Sequence, residues 1–402
     1  MKRNLFDTLK SHLEKREFTV LTGARQTGKS TLLRQLESFC KEQGNPTFFI
    51  NLENKNVLSE LNKSPLNLLN FLPETDKRVT VFIDEIQYLE DPSNFLKLLY
   101  DDHATAIKIV ATGSSAFYID QTFKDSLAGR KKIFQLYTCS FDEYLKLKNK
   151  EELYDEIKRV QTNSTAKSLQ IEQLQQEWNN YMVFGGYPAL ITEPNVKEKI
   201  AYLKEIRDSF VKRDVLEAGV QNEGVFYDLF RIIASQTGNL VNVNELSGSL
   251  KIRNETVNSY LRVLQKCFHI ALIRPFYKNL RKELTKMPKV YLLDNGLRNC
   301  LVNNFELPAF RPDKGDLWEN LYFRLLLEKY SVDEISFWRT TEDNEVDFVL
   351  GHAEKPYSVE IKFDKGAIKE HKYKIFRETY PDIPLHFAWI NPFDEDFFRR
   401  ND

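Results

Sequence analysis

Three short runs in the first 120 residues are apolar at almost every position: "FTVLT" from Phe18, "VTVFI" from Val79 and "IKIVAT" from Ile107. Runs of this length, rich in β-branched and aromatic residues, predict strands buried on both faces. A fourth, "PTFFINLENKN", predicts a shorter strand ending near Asn51 and Glu53. Strands that alternate with helical stretches predict a parallel sheet wound by right-handed crossovers. From about 141 to 215 the pattern is helical with charged faces, broken at "FGGYPAL", where Gly185-Gly186 before Tyr187-Pro188 predicts a sharp turn. An apolar helix beginning at "VFYDLF", a short one in "VNELSGSLK" and a third in "RNETVNSYLRVLQKCF" come next, followed by paired strands in "HIALIRPF" and "KVYLLD". In the last third, "GDLWENLYFRLLLEKY" is an amphipathic helix. Leu317, Leu321, Phe323, Leu325 and Leu327 supply its apolar bulk, and Glu319 stands among them. The strand runs "EVDFVL" and "YSVEIK" likewise carry Asp347, Glu360 and Lys362 where a buried strand does not favour charge.

A chain of 402 residues exceeds one ordinary core. The breaks in pattern divide it into an α/β core at 1–145, a helical lid at 146–222, a winged-helix domain at 223–306 and a final α/β domain at 307–402. The fold class is α/β. No run of about 18 apolar residues occurs, so no membrane-spanning helix is expected, and the N-terminus has no apolar segment of the secretory kind. Cys40, Cys139, Cys267 and Cys300 are scattered without paired spacing. That pattern argues against a zinc site or a disulfide framework and fits a reducing cytoplasm. The net charge of -1 means that any basic surface must be local.

The first buried run leads into Gly23-Ala24-Arg25-Gln26-Thr27-Gly28-Lys29-Ser30-Thr31, a G-x-x-x-x-G-K-S loop between strand and helix. Its glycines let successive N–H groups face phosphates, the helix adds its positive end, Lys29 reaches the β- and γ-phosphates, and Ser30 ligates Mg²⁺. The second buried run ends in Asp84-Glu85, at the edge of the sheet where α/β proteins bind ligands. Asp84 there is a Mg²⁺ ligand and Glu85 orients the attacking water. The third ends in Thr112-Gly113-Ser114-Ser115, whose hydroxyls lie beside those acids. The expected cofactors are ATP and Mg²⁺.

Three helices and a hairpin suit DNA. Arg253, Asn254, Thr256, Asn258 and Ser259 open the third helix, and Lys278, Arg281, Lys282, Lys286 and Lys289 form a basic wing for phosphates. A wing used for protein contact is the alternative.

The phosphate loop, "FIDEIQYLED", "VATGSS", "SLAGRKKIFQLYTCSFDEYL" and "YMVFGGYPAL" together resemble a prokaryotic AAA+ ATPase family. Its C-terminal domain, of uncharacterised function, has a restriction-endonuclease-like fold. The resemblance implies an ASCE-type P-loop fold and self-association, with Ser114 at the polar sensor position and Arg130 as arginine finger or sensor. The final helix and meander resemble the PD-(D/E)xK nuclease core. By position, Glu319, Asp347 and Glu360 become metal ligands beside Lys362, with Val346 where a proline is common. The expected function is a Mg²⁺-dependent AAA+ ATPase acting on DNA. The alternative is a nucleotide-controlled regulatory or protein-binding module with an inactive nuclease-like domain.

Overall fold

The computed structural model describes residues 2–113, 127, 129–162, 168–277, 283, 286–342 and 344–390, with the backbone alone at 161–162 and 210–217. They form two compact units, one up to Cys139 together with Lys266–Phe268, the other taking Ser140–Gln265 and the described residues from His269 on.

The first unit is built on five parallel strands: β1 (Phe18–Thr22), β2 (Thr47–Asn51), β3 (Val79–Asp84), β4 (Ile107–Gly113) and β5 (Lys131–Gln135), in the order β2-β3-β4-β1-β5. Burial explains the order. β1, β3 and β4 are buried at every residue and take the centre, whereas β2 and β5 are partly exposed and take the edges. Alternation survives inside the apolar runs. Leu21, Phe82 and Val110 pack with Phe6, Leu9, Leu32, Leu33 and Leu36 of α1 (Leu5–His12) and α2 (Lys29–Glu42). Val20, Val81, Ile83 and Ile109 point the other way, to a cluster with Leu61 of α3 (Lys55–Lys63) and with Phe95, Leu96 and Leu99 of α4 (Pro92–His103). Each such side chain contributes about 1.5–3 kcal/mol by leaving water. The α/β class and the parallel sheet expected from the sequence are what the first unit has.

The second unit begins with helices α5 (Phe141–Leu147), α6 (Glu151–Thr162), α7 (Ile171–Phe184), α8 (Pro188–Ile191) and α9 (Val196–Glu217). The turn at "FGGYPAL" closes on a residue far along the chain. The Gly186 N–H donates to Asp294 Oδ2 at 2.9 Å, and Gly185 has φ +74 where a Cβ would lie 2.2 Å from Asp294 Oδ1. Three helices follow, α10 (Glu223–Ser235), α11 (Val243–Leu250) and α12 (Asn254–Lys266), then the antiparallel pair β6 (Ile270–Pro275) and β7 (Lys289–Leu292). After α13 (Asn295–Val302) and α14 (Lys314–Leu326) come β8 (Ser336–Arg339), β9 (Glu345–Leu350), β10 (Tyr357–Ile361), α15 (Lys374–Thr379) and β11 (Leu385–Ala388). The sheet order is β11-β10-β9-β8-β6-β7.

That order corrects one expectation. The chain was divided at 306/307, but β6 pairs with β7 on one edge and with β8 on the other, through Arg274↔Ser336 and Pro275↔Phe337. The expected wing and the expected final domain therefore share one sheet. A strand has two hydrogen-bonding edges, and β6 uses both.

Candidate functional site

The phosphate loop sits at the C-terminal ends of the parallel strands. Gly23 (φ +153), Gln26 (φ +61) and Gly28 (φ +92) hold backbone that L side chains rarely adopt. At Gly23 the reason is also close approach: a Cβ there would lie 2.1 Å from the Leu136 carbonyl oxygen, while Leu136 N–H donates to Thr22 O at 2.7 Å. Gly28 caps the fourteen-residue helix α2 in the left-handed conformation. The Lys29 ammonium lies within the loop's curve, donating to Gly23 O at 3.0 Å and Ala24 O at 2.8 Å. Thr27 Oγ1 donates to Ala24 O at 2.9 Å and is fully buried, whereas Gln26 and Thr31 are exposed and Arg25 is half-buried.

Asp84, 5% exposed at the end of β3, is the hub of the acidic side. Its Oδ1 accepts from Ser30 Oγ at 3.1 Å and from Thr112 Oγ1 on β4. Thr112 Oγ1 in turn accepts the Glu85 N–H at 3.1 Å. Glu85 is left-handed (φ 60, ψ 53), which for a residue with a Cβ costs about 1–2 kcal/mol. The turn starts a 3-10 helix at Ile86–Tyr88 and brings the Glu85 carboxylate to Gln87, whose Nε2 donates to Oε2. The donor set fits the groups expected: a hydroxyl and a carboxylate are hard oxygen ligands of the kind Mg²⁺ takes, and a positive-φ loop before a helix N-terminus suits phosphate.

Ser114 lies outside the described residues; Thr112, two positions earlier, donates to Asp84 and accepts the Glu85 N–H. Arg130 is not brought to the loop of its own chain. β1 and β5 run parallel with Phe18 opposite Lys131, so Arg130 leads into the N-terminal edge of the sheet, and its carbonyl accepts the Phe18 N–H at 2.9 Å. The five residues of β1 span roughly 16 Å to the other edge. The guanidinium meets Asp101 there, at 2.7 Å. The sequence reading also missed Arg3, which donates to Thr27 O at 2.6 Å and Tyr137 O at 2.8 Å and so braces the phosphate loop from beneath.

In the second unit, the four expected residues do converge. The Asp347 N–H donates to Glu360 Oε2 at 3.3 Å, and the Ile361 N–H donates to Asp347 Oδ2 at 2.8 Å, across the β9–β10 pair. Lys362 Nζ donates to Glu360 Oε1 and to Ile361 O at 3.1 Å, and Tyr373 Oη donates to Glu360 Oε1 at 2.8 Å. Glu319, on α14, accepts from Tyr291 Oη at 2.6 Å.

Between these acids stands a cation that the sequence reading put on the wing. Lys289 has a side chain only 2% exposed; its Nζ pairs with Glu345, lies 3.3 Å from Glu319 Oε1 and is 3.6 Å from Asp347 Oδ1. It meets no phosphate surface because β7 faces inward here: Lys289 and Tyr291, two residues apart, both reach Glu319. That spacing, at the head of an otherwise apolar strand, was the signal available. Of the remaining wing residues, Lys278, Arg281 and Lys282 lie outside the described residues and Lys286 is exposed.

The cluster is electrostatically tense. Burial raises Glu319 to about 7, with the Asp347 carboxylate adding to it and Lys289 opposing. Burial and then Asp347 raise Glu360 to about 8, against Lys362 and Tyr373. For Lys289, burial favours the neutral amine, but Glu319, Asp347 and Glu345 outweigh it and hold the ammonium above its ordinary range. Among the described residues, no group of three or more His, Cys, Asp or Glu side chains is arranged to hold a metal. The expected ligand set is gathered, with Glu319 and Asp347 beside Lys289 and Asp347 hydrogen-bonded to Glu360.

Residues 15–145 match the model of an AAA domain, which together with the parallel sheet gives this segment a P-loop ATPase fold. Residues 175–307 match "Domain of unknown function (DUF8612)" and residues 314–401 match "Domain of unknown function (DUF4143)". An uncharacterized protein of Haemophilus influenzae is 25% identical over 362 residues, covering 86% of this chain and 82% of its own. One of Methanocaldococcus jannaschii is 27% identical over 380 residues, covering 91% and 79%. Among solved structures, the Aeropyrum pernix ORC1 protein in complex with DNA has 12% identity and a TM-score of 0.33, covering 75% of this chain and 93% of that one. AMPPCP-bound DnaA from Aquifex aeolicus has 15% identity and a TM-score of 0.29, covering 64% and 86%. Among the described residues, no helix is long and apolar enough to cross a membrane.

Proposed function

We propose that the chain is a Mg²⁺-dependent ATPase that acts on DNA through its second unit. One observation carries the ATPase reading: Ser30, Asp84, Thr112 and Glu85 form a single hydrogen-bonded line beside Lys29 at the C-terminal ends of β3 and β4. Mg²⁺ would supply positive charge against the phosphates. Ser30 Oγ and Asp84 would hold it. Lys29 and the N-terminus of α2 attract the phosphates, and the Glu85 carboxylate orients a water and takes its proton. Gln87, which donates to Glu85, keeps that carboxylate turned to one side.

The DNA part rests on α12, as the recognition helix of a winged-helix fold. Arg253, Asn254, Asn258 and Ser259 are exposed around its first turns and Thr256 is half-exposed, which is the face such a helix offers to base edges. The basic segment joining β6 to β7 supplies charge for the backbone. ATP turnover is measured with and without duplex DNA. Stimulation by DNA that is lost in Arg253→Ala while basal turnover stays supports the reading; the same loss should lower the log–log salt slope of binding by about 1. Turnover indifferent to DNA would sink it and favour a nucleotide-controlled partner-binding module.

That alternative gains from the second unit in one respect. The PD-(D/E)xK-like residues Glu319, Asp347, Glu360 and Lys362 are present, yet a lysine lies among them.

A further inference from the structure

We infer that Lys289 stands in place of a divalent metal, so that the PD-(D/E)xK-like cluster is a closed ion-pair core and the second unit holds its ligand without cutting a phosphodiester. The inference does not depend on ATP hydrolysis.

Three observations carry it. First, the ammonium occupies the position a metal would need. It pairs with Glu345, lies 3.3 Å from Glu319 Oε1 and 3.6 Å from Asp347 Oδ1, and thereby joins α14 to β9. A divalent ion entering between the same carboxylates would face a fixed positive charge at contact range.

Second, several of these carboxylate oxygens also face donors of the protein itself. Asp347 Oδ2 accepts the Ile361 N–H, Glu360 Oε2 the Asp347 N–H, and Glu360 Oε1 both Tyr373 Oη and Lys362 Nζ; Glu319 Oε1 adds Tyr291 Oη. A cation taking three or more of these oxygens would have to break such bonds in the interior, where each donor left unmatched is costly.

Third, Lys289 has nowhere to go. Its backbone is in β7, paired with Ile273 of β6 and bridged to Leu240 on the other side, and its ammonium lies 5.6 Å from the centre of the Phe337 ring. A lysine on a loop could swing out for a metal. One anchored on both edges of its strand and 2% exposed could not without opening the sheet.

The experiment uses the full chain without nucleotide. Mn²⁺ binding is followed by the loss of the free-ion paramagnetic resonance signal, and melting temperature is read in Mn²⁺ and in EDTA. The wild type is expected to show no Mn²⁺ site that Asp347→Asn removes, and the same difference in melting temperature between Mn²⁺ and EDTA as Asp347→Asn. Lys289→Met, which keeps the volume and removes the charge, is expected to gain a site at least tenfold tighter than any in the wild type. That site should disappear in Lys289→Met with Asp347→Asn. A wild-type site that Asp347→Asn abolishes would overturn the inference, and so would a folded Lys289→Met that binds nothing. If Lys289→Met does not fold, the wild-type comparison with Asp347→Asn decides alone. Mn²⁺-dependent nicking of duplex or single-stranded DNA by the wild type, lost in Asp347→Asn, would also overturn it.

Discussion

Ser30 and Asp84 meet at 3.1 Å although they are 54 positions apart and β1, the strand that leads to Ser30, is not a neighbour of β3 in the sheet. β4 lies between β1 and β3, so the first turn of α2 reaches over the end of β4 to touch β3. Thr112, from β4 itself, closes the gap beneath this contact with its own hydrogen bond to the same oxygen. Two strands and the first turn of a helix thus meet at one carboxylate oxygen.

Thr112→Val tests that meeting point. The substitution keeps the shape and removes the hydroxyl, leaving the Glu85 N–H without its acceptor and Asp84 Oδ1 with Ser30 but not Thr112 as donor. An unmatched buried group costs about 1–3 kcal/mol. The expected result is a kcat for ATP lowered about tenfold or more with nucleotide affinity nearly kept, since Lys29 and the loop are untouched. Unchanged kcat in steady-state assays would remove Thr112 from the site.

Lys29→Ala and Glu85→Gln separate binding from chemistry. The first removes the charge that meets phosphate and frees the Gly23 and Ala24 carbonyls, so nucleotide binding, read by calorimetry, should fall below detection. The second keeps shape and loses the base. It should bind ATP normally and turn it over at least about a hundredfold more slowly. Near-normal turnover in Glu85→Gln would remove the assignment.

Arg3→Ala tests the brace under the loop. Two hydrogen bonds from a charged donor to Thr27 O and Tyr137 O hold the loop against the segment that follows β5, each of about 1.5–3 kcal/mol. Part of that should appear as nucleotide affinity weakened roughly tenfold. Arg3→Lys, which loses the fork, should recover only part. Equal affinities across all three proteins would make Arg3 a fold residue only.

His12 gives a pH signature. Burial first, then the Lys108 ammonium at 3.3 Å, with Lys132 and Lys15 adding and Glu17 opposing, lower the ring to about 4. The folded state thus holds this proton less tightly than the unfolded chain, whose ordinary value is near 6.5. Stability from the neutral ring is complete above about 6.5 and is lost as pH falls toward 4. For a half-buried ring this amounts to on the order of 1–2 kcal/mol. The drop in melting temperature between pH 7 and pH 4.5 should be smaller in His12→Gln than in the wild type. Equal slopes would exclude the ring.

The sequence made the nucleotide loop and Asp84-Glu85 legible because both are local: a handful of adjacent residues carry the chemistry, and fully buried strands announce their place at the sheet's centre. What it hid was register and edge. Thr112 meets Asp84 because Ile83 is paired with Ala111 on the neighbouring strand, a matter of register that no propensity encodes. Arg130 follows a suggestive motif, but parallel pairing with Phe18 carries it to the far edge. Lys289 looked like a phosphate contact because it closes the run of basic residues Lys278, Arg281, Lys282 and Lys286. Only the long-range pairing of β6 with β8 turns that strand's face inward onto Glu319. Asp347, Glu360 and Lys362 were legible as charges out of place in strands.

The sheet that β6 joins also sets where the protein can be cut. A fragment starting at 308 would lack β6 and β7, leaving one edge of β8 bare and able to pair with other molecules. It would also lose Lys289, so that Glu319, Glu345 and Asp347 faced one another with no cation between them. Such a fragment could take up metal for want of its own lysine and so mimic an active nuclease. Expression boundaries for the C-terminal half therefore belong upstream of Ile270, and activity found in a shorter piece would describe the piece.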